Sequence, residues 1–148
     1  MPDNHYVYID TSVLVKRFVE EDYSTQVDTF FEKNFNFVIS ELVVLEFECT
    51  LRRLQRNSKI TQEYRLKASQ ALTQQINDKW FEKAVFSNQL FTDAKHLIEQ
   101  VSPLALRSLD ALHLAIMQSG NIKQLTTADD EMRKAADHLG LTIHYFNH

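Results

Sequence analysis

Five short β-prone runs, Tyr6–Ile9, Phe35–Ile39, Trp80–Phe86, Ile122–Thr126 and Thr142–Phe146, are everywhere separated by segments with helical periodicity, and this alternation constrains the fold more than any other feature. Strands that never follow one another directly have no tight hairpins to close. They pair through helical crossovers, which predicts a parallel α/β sheet with helices packed on it. Val13–Phe18 reads as the first helix. The helix over residues 24–34 opens at Ser24, expected as its N-cap, and carries Val27, Phe30 and Phe31 at helical spacing. Glu41–Asn57 and Thr61–Asn77 run without glycine or proline and predict a helical hairpin, the second arm with Tyr64, Ala68, Leu72 and Ile76 inward. Leu90, Ala94, Leu97, Ile98 and Val101 share a face of the next helix, closed by Pro103. Ser108–Met117 follows, with Gly120 as its cap, and Asp130–Leu139 is stopped by Gly140. At 148 residues, with no repeat, linker or low-complexity stretch, residues 1–148 are expected to form one domain.

Composition removes several function classes. Only two glycines occur, too few and too far apart for the phosphate-cradling loops of Walker, dinucleotide or kinase type, or for a nucleophile elbow. The longest apolar runs, such as Leu42–Leu45, are four residues, against the ~20 that a membrane span needs. Acid stands near the N-terminus where a signal peptide would carry basic charge, so the expected location is the cytosol. The single cysteine, Cys49, cannot form an internal disulfide or a thiolate zinc site, and reads as a small buried hydrophobe. Sixteen basic against twenty acidic residues leave a net charge of −4, which argues against broad electrostatic capture of nucleic acid but not against a local basic patch.

In an open parallel sheet, sites form beyond the carboxyl ends of the strands. Asp10 ends the first strand there, and Asp129 with Asp130 follows the strand at Leu125. Glu46, six residues after the strand-ending Ser40, and Asp110, early in its helix, can be directed toward the same rim. Each acid also has an ordinary structural role open to it: a helix cap for Asp10, Asp129 or Asp130, a local ion pair for Glu46, a favourable first-turn position for Asp110. Together they make an oxygen-rich cluster of the kind that holds Mg²⁺ or Mn²⁺. His113, one helical turn after Asp110, has no metal-spaced histidine partner and reads as a partly buried structural residue.

Four segments carrying these acids, Val7–Leu14, Ser40–Glu46, Leu106–Ala115 and Leu125–Asp129, resemble the sequence blocks of PIN-domain ribonucleases, and within them the VapC-type toxins of toxin–antitoxin modules. The resemblance runs through nearly the whole chain. It implies a Rossmann-like α/β/α sandwich and a cytoplasmic endoribonuclease that cuts structured RNA with Mg²⁺ or Mn²⁺. Asp10 and Asp110 would be the principal metal ligands, Glu46 would orient or deprotonate the attacking water, and Asp129 would complete the site, with Asp130 an alternative. Thr11, Ser12 and Thr127 would hold the carboxylates by their hydroxyls. Lys16, Arg17, Arg52, Arg53, Arg56 and Lys59 are the expected phosphate contacts, although such a basic helix end is equally an ordinary solvated face. A small antitoxin and a homodimer are implied as partners. Two rivals stand beside this reading: a PIN-like scaffold that binds RNA or protein without cutting, and a phosphoaspartate phosphatase, which would want an Asp where Ser12 stands.

Overall fold

The computed structural model describes residues 5–148. Five parallel strands, β1 (Tyr6–Ile9), β2 (Asn36–Ile39), β3 (Glu82–Lys83), β4 (Gln124–Thr127) and β5 (Thr142–Tyr145), lie in the order β3-β2-β1-β4-β5. β1 is central, with Tyr8 opposite Val38 on one side and Leu125 on the other. A strand covered on both faces should be apolar at every position rather than alternately, and Val7, Tyr8 and Ile9 are all fully buried.

Seven helices connect the strands: α1 (Thr11–Phe18) and α2 (Ser24–Phe31), then α3 (Glu41–Arg56) and α4 (Gln62–Asn77), then α5 (Gln89–Gln100) and α6 (Ser108–Ser119), and α7 (Asp130–His138). The connections β1→β2→β3 run toward one edge and β3→β4→β5 toward the other, so right-handed crossovers place α1–α4 on one face and α5–α7 on the opposite face. The packing agrees: α1 meets α2, α3 and α4, whereas α5 packs along α6. The result is the α/β/α sandwich, with every strand pairing parallel. The helical hairpin is α3 and α4, each opened by a hydroxyl cap: Val43 N–H donates to Ser40 Oγ at 3.2 Å and Tyr64 N–H to Thr61 Oγ1 at 3.0 Å. α6 is buried continuously from Asp110 to Met117, which explains why its sequence is apolar almost all round.

Several local expectations are corrected. The run Trp80–Phe86 yields only the two-residue β3, which pairs with β2 at Glu82 and Lys83 alone. Phe81 goes into the core, while Val85 is 85% exposed and Trp80 and Phe86 also face solvent. Ser24 is not the cap of α2: that position belongs to Tyr23, in the left-handed region at φ 72°, and the buried Ser24 hydroxyl accepts from Glu21 N–H and donates to Val19 C=O. Cys49 is exposed. Tyr64 is also exposed, its hydroxyl donating to Phe18 C=O at 3.2 Å, while Ala68 and Leu72 carry the inward face of α4. Gly120 caps α6 with an ordinary φ, and the left-handed residue that turns the chain is Asn121 at φ 55°. Gly140, at φ 76°, does supply the left-handed stop after α7.

Candidate active site

The strand order reverses between β1 and β4, since β1 connects toward one edge and β4 toward the other, and this opens a crevice at their carboxyl ends. A cleft of about 630 Å³ lies there, lined by Asp10, Glu46, Asp110 and Asp129 among others. Asp10, at the end of β1, caps α1: its Oδ1 accepts Thr11 N–H at 2.8 Å. Its Oδ2 accepts two hydroxyls, Ser12 at 2.9 Å and Thr127 at 2.8 Å. These hydroxyls are anchored in turn, Ser12 Oγ by Ala128 N–H and Thr127 Oγ1 by Asp129 N–H. Burial pushes the Asp10 carboxyl above its ordinary value, and His113, Thr127 and Ser12 offset this only in part.

Glu46 comes from α3 on the opposite wall. Its Oε1 accepts the Thr11 hydroxyl at 2.7 Å and lies 2.6 Å from His113 Nε2. Burial opposes its ionisation, yet the His113 and Thr11 hydrogen bonds and the charge of Arg107 bring its carboxyl below the usual value. For His113 burial works the other way and is outweighed by Glu46 and Asp10, which raise it. Asp110, in the first turn of α6, is raised by burial despite its 2.9 Å bond from Arg107 Nε. The Arg107 guanidinium also bonds Asp129 Oδ2, so that one cation bridges two rim carboxylates. Asp129 meanwhile caps α7, its Oδ1 accepting Glu131 N–H at 2.9 Å and Met132 N–H at 3.2 Å.

Carboxylates crowded at a strand rim, one of them nearly inaccessible and raised by burial, form a site of the kind that hard cations occupy. Residues 7–138 match the family described as PIN domain. The chain belongs to the PIN domain family. No curated protein sequence matches it significantly. Among solved structures, this PIN domain is similar to VapC20 of Mycobacterium tuberculosis, a Sarcin-Ricin loop cleaving toxin (15% identity, TM-score 0.67, covering 87% of this chain and 94% of that one). It is similar also to VapBC2 of Rickettsia felis bound to a promoter DNA fragment (17% identity, TM-score 0.64, covering 95% and 98%). A third is FitAcB of Neisseria gonorrhoeae (13% identity, TM-score 0.62, covering 93% and 95%).

Within the PIN fold, Asp10, Glu46, Asp110 and Asp129 all face the one cleft, and Thr11, Ser12 and Thr127 all bond its carboxylates. Asp130 does not. It is exposed and pairs with Arg133 and Lys134 on its own helix. The basic residues divide. Lys16 and Arg53 line the cleft, although Lys16 is tied to Glu21 and to Asp22 C=O. Arg52, Arg56 and Lys59 are exposed. Arg17 turns to a different cleft, its guanidinium 4.4 Å from the centre of the Phe31 ring and 5.5 Å from that of Trp80, and it bonds Gln75 Oε1.

Two residues of the site escape a reading of the sequence. His113, expected to be a structural residue, is buried against Glu46 and lies 4.0 Å from Asp10 Oδ1. Its spacing of three from Asp110 puts both on one edge of α6, which is the only local sign of it. Arg107, three residues before Asp110 and flanking the helix start, carries the same faint signal. No helix among the described residues is long and apolar enough to cross a membrane.

Proposed function

We propose that this PIN domain is a divalent-metal-dependent endoribonuclease and the toxin of a toxin–antitoxin pair. The observation that carries the reading is Asp10: a buried carboxyl, raised above its ordinary value, whose oxygens face Glu46 across the cleft, with Asp10, Glu46 and His113 ligand atoms all within 4.8 Å of one another. These residues fit a hard cation. Asp10 and Asp110 would be its principal holders, with Glu46 and Asp129 completing the set; Mg²⁺ or Mn²⁺ there would neutralise a phosphate and acidify water. Glu46, fixed from both sides, is the group to orient a water and take its proton. Arg53, Arg107 and Lys16 are placed to receive phosphate oxygens at the cleft wall. A small antitoxin partner is supported by the likeness to toxin–antitoxin complexes, and a homodimer belongs to the same reading.

The test is incubation of the purified chain with total cellular RNA, with Mn²⁺ or with EDTA. EDTA-sensitive cutting at a few sites in structured RNA, such as tRNA loops, is expected. The fragments should carry 5′-phosphate and 3′-hydroxyl ends, because the cleft lining includes no pair of histidines to drive attack by the RNA's own 2′-hydroxyl. Cyclic phosphate ends, or undiminished cutting in EDTA, would defeat the proposal. In a bacterial host, production of the chain alone should arrest growth, and production of the Asp10→Asn form should not.

A second measurement separates the neighbouring acids. Asparagine caps a helix as well as aspartate does, so Asp129→Asn removes charge from the cleft while keeping α7 capped. It is expected to slow cleavage about tenfold or more, whereas Asp130→Asn stays within about twofold. The reverse order would move the fourth acid to Asp130.

A further inference from the structure

His113 is 1% exposed and both ring nitrogens are engaged, Nδ1 at 2.7 Å from the Tyr8 hydroxyl and Nε2 at 2.6 Å from Glu46 Oε1. The Glu46 carboxylate can only accept, so it is Nε2 that carries a proton along this contact. The Tyr8 hydroxyl, which also meets Ser40 Oγ at 2.7 Å, holds the other edge of the ring.

Resting on the nuclease reading above, we infer that His113 is a positioning residue that donates from Nε2 to Glu46 and is thereby withheld from the metal, although its nitrogen lies among the potential ligand atoms. The contacts form a closed circuit. Ser40 caps α3 and meets the Tyr8 hydroxyl on β1, Tyr8 meets His113 Nδ1 on α6, and His113 donates from Nε2 to Glu46 on α3. The helix cap, the central strand and the opposite layer thus set the orientation of one carboxylate. With imidazole excluded, the ligand set is oxygen only, which suits Mg²⁺ and Mn²⁺ rather than zinc.

The experiment uses the full chain with ¹⁵N-labelled histidine and Mn²⁺ alone. Pulsed electron paramagnetic resonance is expected to show no imidazole nitrogen coupled to Mn²⁺, and nuclear magnetic resonance of the metal-free protein to place the hydrogen on Nε2. His113→Leu should lower kcat about tenfold or more while Mn²⁺ affinity stays within about twofold. His113→Gln, which keeps a donor, should recover part of the loss. Tyr8→Phe, a smaller disturbance should the leucine variant fail to fold, should lower kcat in the same way. A coupled imidazole nitrogen, a bare Nε2, or a parallel loss of Mn²⁺ affinity in His113→Leu would overturn the inference. Absence of Mn²⁺ binding by the wild type would instead defeat the metal reading, and the proton position in the metal-free protein would still decide the role of His113.

Discussion

Asp10→Asn is expected to abolish RNA cleavage, by at least about a hundredfold, and yet to leave the metal-free protein at least as heat-stable as the wild type. The two effects share one cause. Burial raises the Asp10 carboxyl in the folded chain, more strongly than His113, Thr127 and Ser12 lower it, so the folded state holds a proton more tightly than the unfolded one. As pH rises from the ordinary carboxylate value through the raised one, the native state must ionise against that burial, and stability is lost. Asparagine cannot ionise and escapes it. Its amide oxygen can still accept Thr11 N–H, and the Ser12 and Thr127 hydroxyls can turn to accept from its nitrogen. Cleavage assays and thermal melts at neutral pH check both parts. Mn²⁺ should raise the melting temperature of the wild type and not of the variant. Retained activity, or a melting temperature lower by more than about 4 °C, would show Asp10 to be a structural cap instead.

Phe47→Ala should cost about 3–5 kcal/mol, a large share of the ~5–15 kcal/mol that holds a domain together. Phe47 is fully buried beside Glu46 and meets Phe18 edge-on with ring centres 5.6 Å apart, tying α3 to α1. Leu45, on the other side of Glu46 in sequence, is 62% exposed, and Leu45→Ala should change stability by no more than about 0.5 kcal/mol. Denaturant unfolding of both variants measures the contrast. Equal costs would mean that α3 is rotated about its axis, which would also take Glu46 out of the cleft.

That same helix shows what can be read from a sequence and what cannot. Val43, Phe47 and Leu51 repeat every four residues and mark the inward face. Cys49 lies about 200° round the helix from Phe47, so its exposure was legible in the spacing, whereas its apolar neighbours in sequence suggested burial. The sheet was legible because parallel strands buried on both faces leave uninterrupted apolar runs, and Asp10 because it stands where such a run stops. β3 was overextended, since the apolar character of Trp80–Phe86 does not show that only Glu82 and Lys83 pair with β2. His113 was hidden for a different reason. Its partners Tyr8 and Glu46 lie 105 and 67 residues away, and only the packing of α6 against the sheet brings them together. Arg17 looked like a phosphate contact because charge is visible in a sequence and the aromatic rings that claim it, Phe31 and Trp80, are not visibly near.

The crevice between β1 and β4 also governs when activity can first arise during synthesis. Thr127, which holds the Asp10 carboxylate, follows it by 117 residues, and at translation rates of about 5–20 residues per second it is made roughly 6 to 23 s later. Until then β1 lacks one of its two neighbours, and Asp10 has neither the Thr127 hydroxyl nor Asp129 across from it. A chain still growing on the ribosome therefore carries three of the four acids, Asp10, Glu46 and Asp110, and the cleft that gathers them is complete only once β4 docks.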